Sequence, residues 1–195
     1  MSGALDRRRV GRALLERRGE LLVVAGLGSS AWDCTAAGDH PLTFPLWGAM
    51  GSACTIGLGL ALAQPRRRVL VVTGDGEMLM GLGSLATIAV QRPANLAIVV
   101  LDNERYGETG MQKTHTAYGT DLAAVAAACG FATAEVIRGE ARLAALRADI
   151  HRRRGPLFYQ VKIGSDPVPL VLPPRDGALL KHRFREALLG KRAAE

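Results

Sequence analysis

The sequence is short of aromatic residues and cysteines, and it has no long apolar stretch. Aromatic residues make up 5% of the 195 positions, and none is interleaved with the arginines as a stacking platform for nucleic acid requires. The cysteines Cys34, Cys54 and Cys129 form no CxxC pair, which argues against zinc and iron–sulfur sites. No apolar run approaches the length of a transmembrane helix. We therefore expect no nucleic-acid partner and no membrane partner.

The positive charge is clustered. The formal net charge is +7, and six arginines crowd the first 18 residues. Two triple-arginine runs, Arg66–Arg68 and Arg152–Arg154, each stand just before an apolar run, where a loop or helix end is solvated. An odd cysteine count without a signal peptide fits a reducing compartment, so we expect a cytoplasmic protein.

The apolar pattern predicts an α/β fold. Near-continuous apolar runs suit strands buried on both faces, and helical segments lie between them. This alternation predicts a single three-layer domain, with a mostly parallel sheet and helices on both faces. The predicted strands are Leu21–Ala25, Val69–Thr73, Leu96–Leu101, Thr133–Ile137 and Leu157–Ile163. The predicted helices are Gly51–Ala63, Gly81–Gln91, Asp121–Cys129 and Gly139–Arg153.

Composition suggests three parts. We expect a basic helix in residues 1–19, the α/β domain in residues 20–165, and a proline-rich tail in residues 166–195 with a short helix near Gly177–Leu189. In parallel sheets, ligands bind at the carboxyl ends of the strands. Functional residues should therefore follow the predicted strands.

Polar residues do follow two of these strands. Gly74, Asp75 and Gly76 come after one strand, and Asn103 comes after the next, so both side chains should emerge at the same sheet edge. Carboxylate and amide oxygens suit Mg²⁺ or Ca²⁺, and phosphate oxygens would complete the octahedron. The glycines allow the backbone to approach a phosphate closely. By itself, Gly-Asp-Gly is equally explained as a turn.

Together with Asn103, this pattern resembles the cofactor-binding motif of thiamine-diphosphate enzymes. The resemblance covers roughly residues 20–165, as the diphosphate-binding domain of that superfamily. It implies that thiamine diphosphate binds through Mg²⁺. The implied metal ligands are the side chains of Asp75 and Asn103 and the backbone carbonyl of Arg105.

Two further segments carry the resemblance. Met50 is implied to wedge between the two rings of the cofactor, with the Gly48 carbonyl accepting a hydrogen bond from its 4′-amino group; a plain core role for Met50 is the alternative. Gly28, Ser29 and Ser30 resemble the loop that holds the terminal phosphate, although Gly-Ser runs are also common turns.

One position departs from the family pattern. A small hydroxyl residue often follows the second glycine, but here the residue is Glu77. Since a carboxylate repels a diphosphate, we expect its side chain to turn away and only its backbone N–H to reach phosphate. The full set of expected cofactor-binding residues is Gly28, Ser29, Ser30, Gly48, Met50, Gly74, Asp75, Gly76, Glu77, Asn103, Arg105, Tyr106 and Gly107.

The resemblance also implies that a second, pyrimidine-binding domain is needed for activity. In this superfamily a Glu from a separate pyrimidine-binding domain activates the cofactor, and 195 residues leave no room for that domain. We therefore expect a pyrimidine-domain (α) subunit as partner. The glycine-rich segment Gly51–Ala63 also makes a homodimer possible. A cofactor binder without activity is the alternative.

The segment Leu101–Gln112 resembles the β subunits of sulfopyruvate decarboxylase and the C-terminal part of phosphonopyruvate decarboxylase. A similar stretch occurs in the β subunits of 2-oxoacid:ferredoxin oxidoreductases, many of which carry cluster-binding cysteines that this chain lacks. We favour a non-oxidative carboxy-lyase that releases CO₂ and an aldehyde from a small 2-oxoacid, and the oxidoreductase subunit remains an alternative.

Candidates for substrate contact or proton transfer follow Asn103. His115 is a candidate because the ordinary pKa of a histidine suits proton transfer near neutral pH. A surface loop histidine without a catalytic role is at least as good an explanation of this residue. The acid group of an anionic substrate would be bound by Arg105, by Lys113 or by residues of the partner. The expected catalytic residues are Glu108, Gln112 and His115, with Thr109 as a further candidate.

Overall fold

Six parallel strands form the central sheet of the protein, whose computed structural model describes residues 4–194. The strands of the sheet are β1 (Leu22–Ala25), β2 (Thr43–Pro45), β3 (Val69–Gly74), β4 (Leu96–Asp102), β7 (Thr133–Ile137) and β8 (Leu157–Lys162), and a separate hairpin contains β5 (Arg105–Tyr106) and β6 (Gln112–Lys113). The helices are α1 (Arg7–Leu15), α2 (Ser29–Ala36), α3 (Ala53–Ala63), α4 (Asp75–Met80), α5 (Ser84–Gln91), α6 (Leu122–Cys129), α7 (Glu140–Arg152) and α8 (Gly177–Leu189). The predicted α/β fold is confirmed.

The central strands are buried on both faces, as their continuous apolar sequences require. Along β3, Leu70 and Val72 pack with α1, α2 and α7, while Val69 and Val71 pack with α3, α5, α6 and α8. Alternate side chains of one strand therefore belong to two separate cores. This is the three-layer arrangement that the sequence predicts.

The strand order β2-β1-β3-β4-β8-β7 creates a crevice at the carboxyl edge of the sheet. From β1 the chain moves to one side through α2, and from β2 it returns to the other side of β1 through α3. Because α2, which follows β1, and α4, which follows β3, pack on opposite faces, the chain diverges after these two neighbouring strands. A ligand of an open α/β sheet binds at such a switch point.

Short elements next to this crevice are absent from the sequence-based assignment. These are α2, β2, α4 and the β5–β6 hairpin. Two helices also begin later than predicted. Gly51 has φ +96, so α3 starts at Ala53, and a turn over residues 81–83 delays α5 to Ser84.

Both ends of the described chain pack on the domain. Leu5 forms a parallel bridge with Ile163, with Leu5 N donating to the Lys162 carbonyl at 3.1 Å, so α1 begins beside the carboxyl end of β8. At the other end, Phe184 of α8 makes an edge-to-face contact with Phe44 of β2. Within residues 4–194, no helix is both long and apolar enough to cross a membrane.

Candidate functional site

A cavity of about 160 Å³ lies in the crevice at the ends of β1, β3 and β4. Its walls are the loop after β1, the start of α4 after β3, and the segment from Asn103 to Thr109, with Arg7 of α1 at one side. Whole small-molecule sites usually enclose roughly 300–1,000 Å³. This cavity therefore suits part of a cofactor better than a whole one.

Asp75 is buried between Gly74 and Gly76, which both line the cavity, but Asp75 itself is not among the lining residues. Its exposed fraction is 1%, and burial raises the pKa of its carboxyl group to about 6, with the nearby Asp102 contributing in the same direction. Thr114 Oγ1 donates to Asp75 Oδ2 at 2.5 Å, and Thr116 Oγ1 lies 3.3 Å from the same oxygen. No side-chain hydrogen bond of the described residues reaches Oδ1. That oxygen is thus available to a cation, whose charge would offset the cost of ionising a buried carboxylate.

A second buried carboxylate stands behind the first. Thr116 Oγ1 lies 2.8 Å from Asp102 Oδ1, while Asp102 Oδ2 accepts from Gln160 Nε2 at 2.5 Å and Lys162 Nζ at 2.8 Å. Lys162 compensates the Asp102 charge and also contacts Glu104 at 2.6 Å. Thr114 and Thr116 therefore connect Asp75 to Asp102, whose charge is compensated by Lys162.

Asn103 lies in the cavity wall, where a tight turn holds it. Its Oδ1 accepts a hydrogen bond from the Arg105 backbone N–H at 3.0 Å, and Glu104 between them has φ +62. Arg105 then enters the β5–β6 hairpin, opposite Lys113. The fold thus brings Asn103 and Arg105 to the same cavity as the Gly74–Gly76 segment, as the sequence predicts.

The loop after β1 opens directly into a helix. Ser29 is the first residue of α2, and its N-cap, Gly28, supplies no side-chain hydrogen bond to the free amides. A helix N-terminus of this kind favours an anion. Ser29 and Ser30 both line the cavity, and Ser29 Oγ donates to Glu108 Oε1 at 3.3 Å.

Glu77 connects two of the cavity loops through its side chain. Glu77 Oε2 accepts from the Leu27 backbone N–H at 3.0 Å and from Thr73 Oγ1 at 2.8 Å. Burial raises the pKa of this carboxyl group, and Oε1 has no hydrogen-bond partner among the described residues. One of these hydrogen bonds reaches the loop after β1, and the other holds the carboxylate against β3. A Cβ on Gly26 would lie 2.0 Å from Oε2, so a larger residue at position 26 would displace this carboxylate.

Gly76 allows two side chains to close over the backbone. A Cβ at this position would lie 2.6 Å from the Tyr106 ring and 3.6 Å from Met50 Cε. Met50 is 37% exposed and lines the cavity, whereas Gly48 is exposed and is not among the lining residues. Beside them, Trp47 Nε1 donates to the Pro174 carbonyl at 2.8 Å, so the C-terminal tail holds this segment.

The three expected catalytic residues lie in different surroundings. Glu108 lines the cavity. Gln112 is exposed and bonds back to Thr109, its Oε1 accepting at 3.0 Å. His115 is exposed and lies outside the cavity lining, because the alternation of Thr114, His115 and Thr116 turns the flanking threonines inward. The roles of all three stay predictions.

Sequence reasoning missed the threonines and Arg7. An alternating Thr-x-Thr pattern is a signal for two side chains on one face, but nothing in the sequence states that this face meets Asp75.

No group of three or more potential metal-binding His, Cys, Asp or Glu side chains exists in the part of the chain that the structure describes. A metal here would therefore need amide, carbonyl or phosphate oxygens as further ligands.

Residues 28–161 match the family described as "Thiamine pyrophosphate enzyme, C-terminal TPP binding domain". The chain is 44% identical to the sulfopyruvate decarboxylase subunit beta of Methanothermobacter thermautotrophicus, over 77% of this chain and 78% of that protein. It is 48% identical to the phosphonopyruvate decarboxylase of Streptomyces viridochromogenes, over 62% of this chain but only 30% of that protein.

Solved structures show the same fold. The benzoylformate decarboxylase of Polynucleobacter necessarius superposes with a TM-score of 0.71 at 21% identity, covering 85% of this chain and 34% of that one. The chain therefore spans about a third of that larger enzyme. At this level of identity the likeness concerns the fold alone.

Proposed function

Because the chain belongs to the thiamine pyrophosphate enzymes through their C-terminal TPP binding domain, we propose that it is the diphosphate- and metal-binding subunit of a 2-oxoacid decarboxylase. Its cofactor is thiamine diphosphate, held through Mg²⁺. When bound, the cofactor supplies an electron sink for the pair released as the substrate loses CO₂.

The observation that carries the proposal is the environment of Asp75. This carboxylate is buried and is oriented by Thr114 and Thr116 through Oδ2, and no side-chain hydrogen bond from the described residues reaches Oδ1. Next to it, the first amides of α2 lack a side-chain cap. A cation ligand beside an anion-binding helix end fits a metal–diphosphate group.

The residues in and next to the cavity then have separate roles; Asp75, Gly28 and Gly48 are next to it and not in its lining. Asp75, the Asn103 side chain and the Arg105 carbonyl hold Mg²⁺. Met50 and the Gly48 carbonyl contact the cofactor rings, and Tyr106 and Gly107 close the wall beside them. The diphosphate contacts come from Gly28, Ser29, Ser30, Gly74, Gly76 and the backbone N–H of Glu77.

A separate pyrimidine-domain chain completes the site and supplies the activating Glu. The small volume of the cavity supports this division, since it fits only part of the cofactor. The name of the Methanothermobacter relative, a subunit beta, supports it as well. The substrate is a small 2-oxoacid resembling sulfopyruvate or phosphonopyruvate. Arg105 lines the cavity and is better placed for the acid group than Lys113, which lies 5.6 Å from the exposed Tyr118 ring.

The test uses the chain together with its partner, Mg²⁺ and thiamine diphosphate. We expect CO₂ and aldehyde from a 2-oxoacid without an added electron acceptor. Turnover only with an acceptor would instead establish an oxidoreductase subunit, and cofactor binding without any turnover would establish a non-catalytic binder.

Asp75→Ala tests the metal assignment separately. The variant should lose Mg²⁺-dependent cofactor binding, measured by titration calorimetry on the assembled protein. Asp39→Ala is the control, because Asp39 forms an exposed ion pair with Arg183 away from the cavity. Unchanged binding by Asp75→Ala would refute the assignment.

A further inference from the structure

The N-terminal helix contributes a cation to the cavity. The bridge between Leu5 and Ile163 places the start of α1 at the carboxyl end of β8, the edge on which the cavity opens. Arg7 is the first residue of α1 and lines the cavity together with Ser29 and Ser30. This residue lies outside the matched range 28–161.

One edge of the Arg7 guanidinium is fixed. Nε and Nη2 bond to Asp33 Oδ2 at 3.0 and 2.8 Å, and the Asp33 side chain is fully buried. The Arg7 side chain itself is 11% exposed. A guanidinium has five N–H donors, and among the described residues no hydrogen bond uses Nη1. The group is therefore held in place while donors remain available on its other edge.

Two guanidinium groups surround the Asp33 carboxylate, and Asp6 is a second carboxylate close to it. Arg8 Nη1 lies 3.3 Å from Asp33 Oδ1, so two guanidinium groups share one carboxylate. Arg8 also donates to the Trp32 carbonyl at 2.7 Å and to the Pro169 carbonyl, and it is not part of the cavity lining. Of the pair, only Arg7 presents its charge to the cavity.

We propose that Arg7 binds an oxygen of the cofactor's diphosphate at the Ser29–Ser30 end, with Asp33 as the residue that positions the guanidinium. The inference rests on the proposed function and adds a diphosphate-binding residue from outside residues 28–161. Bound Mg²⁺ neutralises a diphosphate only in part, and a guanidinium fork matches phosphate geometry.

The test compares Arg7→Gln with Arg8→Gln in the full chain and its native assembly. Both variants remove one cation from Asp33, but only the first removes a donor from the cavity. We expect Arg7→Gln to raise the Kd for thiamine diphosphate with Mg²⁺ by about tenfold or more, as the loss of a charge-assisted hydrogen bond implies. Arg8→Gln should leave the Kd within about twofold, because rim or distant charges act weakly.

Two further measurements separate binding from structure. The affinity for unphosphorylated thiamine should be the same in both variants, because it has no diphosphate for Arg7 to contact. The melting temperature of the cofactor-free protein should fall in both, because both weaken the bonding of Asp33. Equal Kd changes for thiamine diphosphate in the two variants would overturn the role of Arg7. Absence of binding by the unaltered protein would instead overturn the proposed function, and the inference with it.

Discussion

Thr114 Oγ1 donates a hydrogen bond of 2.5 Å to Asp75 Oδ2, although the two residues belong to loops that follow different strands. The bond joins the loop after β3 to the segment beyond the β5–β6 hairpin. Because Thr116 approaches the same oxygen, the two hydroxyl groups together fix which carboxylate oxygen remains for a cation.

Thr114→Val should therefore weaken metal binding without removing a ligand. The hydroxyl bond to a charged oxygen is worth about 1.5–3 kcal/mol, so we expect the Mg²⁺ affinity in the presence of cofactor to fall by about tenfold or more. Calorimetric titration with Mg²⁺ measures the change. Thr87→Val, at an exposed position of α5, is the matched control and should bind normally; an equal loss in both variants would contradict the orienting role.

Glu108→Gln should strengthen diphosphate binding. The Glu108 carboxylate lies beside Ser29 at the N-terminus of α2, where its negative charge opposes an incoming phosphate. We expect a Kd for thiamine diphosphate that is lower by about threefold, since exposed charges contribute up to about 1 kcal/mol. Glu186→Gln is the control, because Glu186 lies at an exposed position of α8. A higher Kd in Glu108→Gln would mean that the carboxylate assists the cofactor. Activity is measured separately, because Glu108 is also a candidate catalytic residue.

Gly26→Ala should destabilise the fold through Glu77. A Cβ there would lie 2.0 Å from Glu77 Oε2, and moving the carboxylate would break its bonds to Leu27 and Thr73. We expect a loss of about 1–3 kcal/mol in the free energy of unfolding, measured with urea. Gly59→Ala, in the interior of α3 with open space around its Cβ, should not lower the stability.

A double-mutant cycle identifies the cause of that loss. In a Glu77→Ala background the clash is absent, so adding Gly26→Ala should cost much less than it does in the unaltered chain. Additive free energies would show that the two positions do not interact.

Trp47→Phe should loosen the C-terminal tail locally. The change removes the Nε1–H donor to the Pro174 carbonyl while keeping an aromatic ring near Arg175. We expect faster amide hydrogen exchange in residues 170–176, with a stability loss of about 1 kcal/mol. Trp32→Phe is the control, because the Trp32 indole makes no hydrogen bond with the described residues. Unchanged exchange in Trp47→Phe would show that the tail is held by other contacts.

The sequence was sufficient for the elements whose own pattern determines them. The apolar runs of β3 and β4 require burial on both faces. The predicted helix Asp121–Cys129 is observed as α6, with Asp121 as its N-cap accepting from Ala124 N at 2.9 Å and Gly130 as its C-cap. The proximity of Asp75 and Asn103 also follows, because each stands at the end of a parallel strand.

The rest depends on contacts between distant segments. For Gly28–Ser30 the sequence predicts a phosphate-binding loop or a common turn, because the segment is composed of turn-forming residues. The helical conformation of α2 is stabilised by packing of Ala31 and Cys34 on the sheet. The inward orientation of Thr114 depends on where the hairpin is placed. The sequence places Arg7 only in a cluster of arginines, since the Leu5–Ile163 bridge cannot be inferred from either segment alone.

That bridge and the Trp47–Pro174 bond both involve residues outside the range 28–161. The matched domain and the unit that forms the cavity are therefore different lengths of chain. A fragment trimmed to residues 28–161 would keep the Gly74–Gly76 segment, yet it would lose β1, which joins β2 to β3 in the sheet. It would also lose a guanidinium on one side of the cavity and the brace behind Met50 on the other. Chimeras that exchange this domain between relatives should accordingly carry both flanking segments with it.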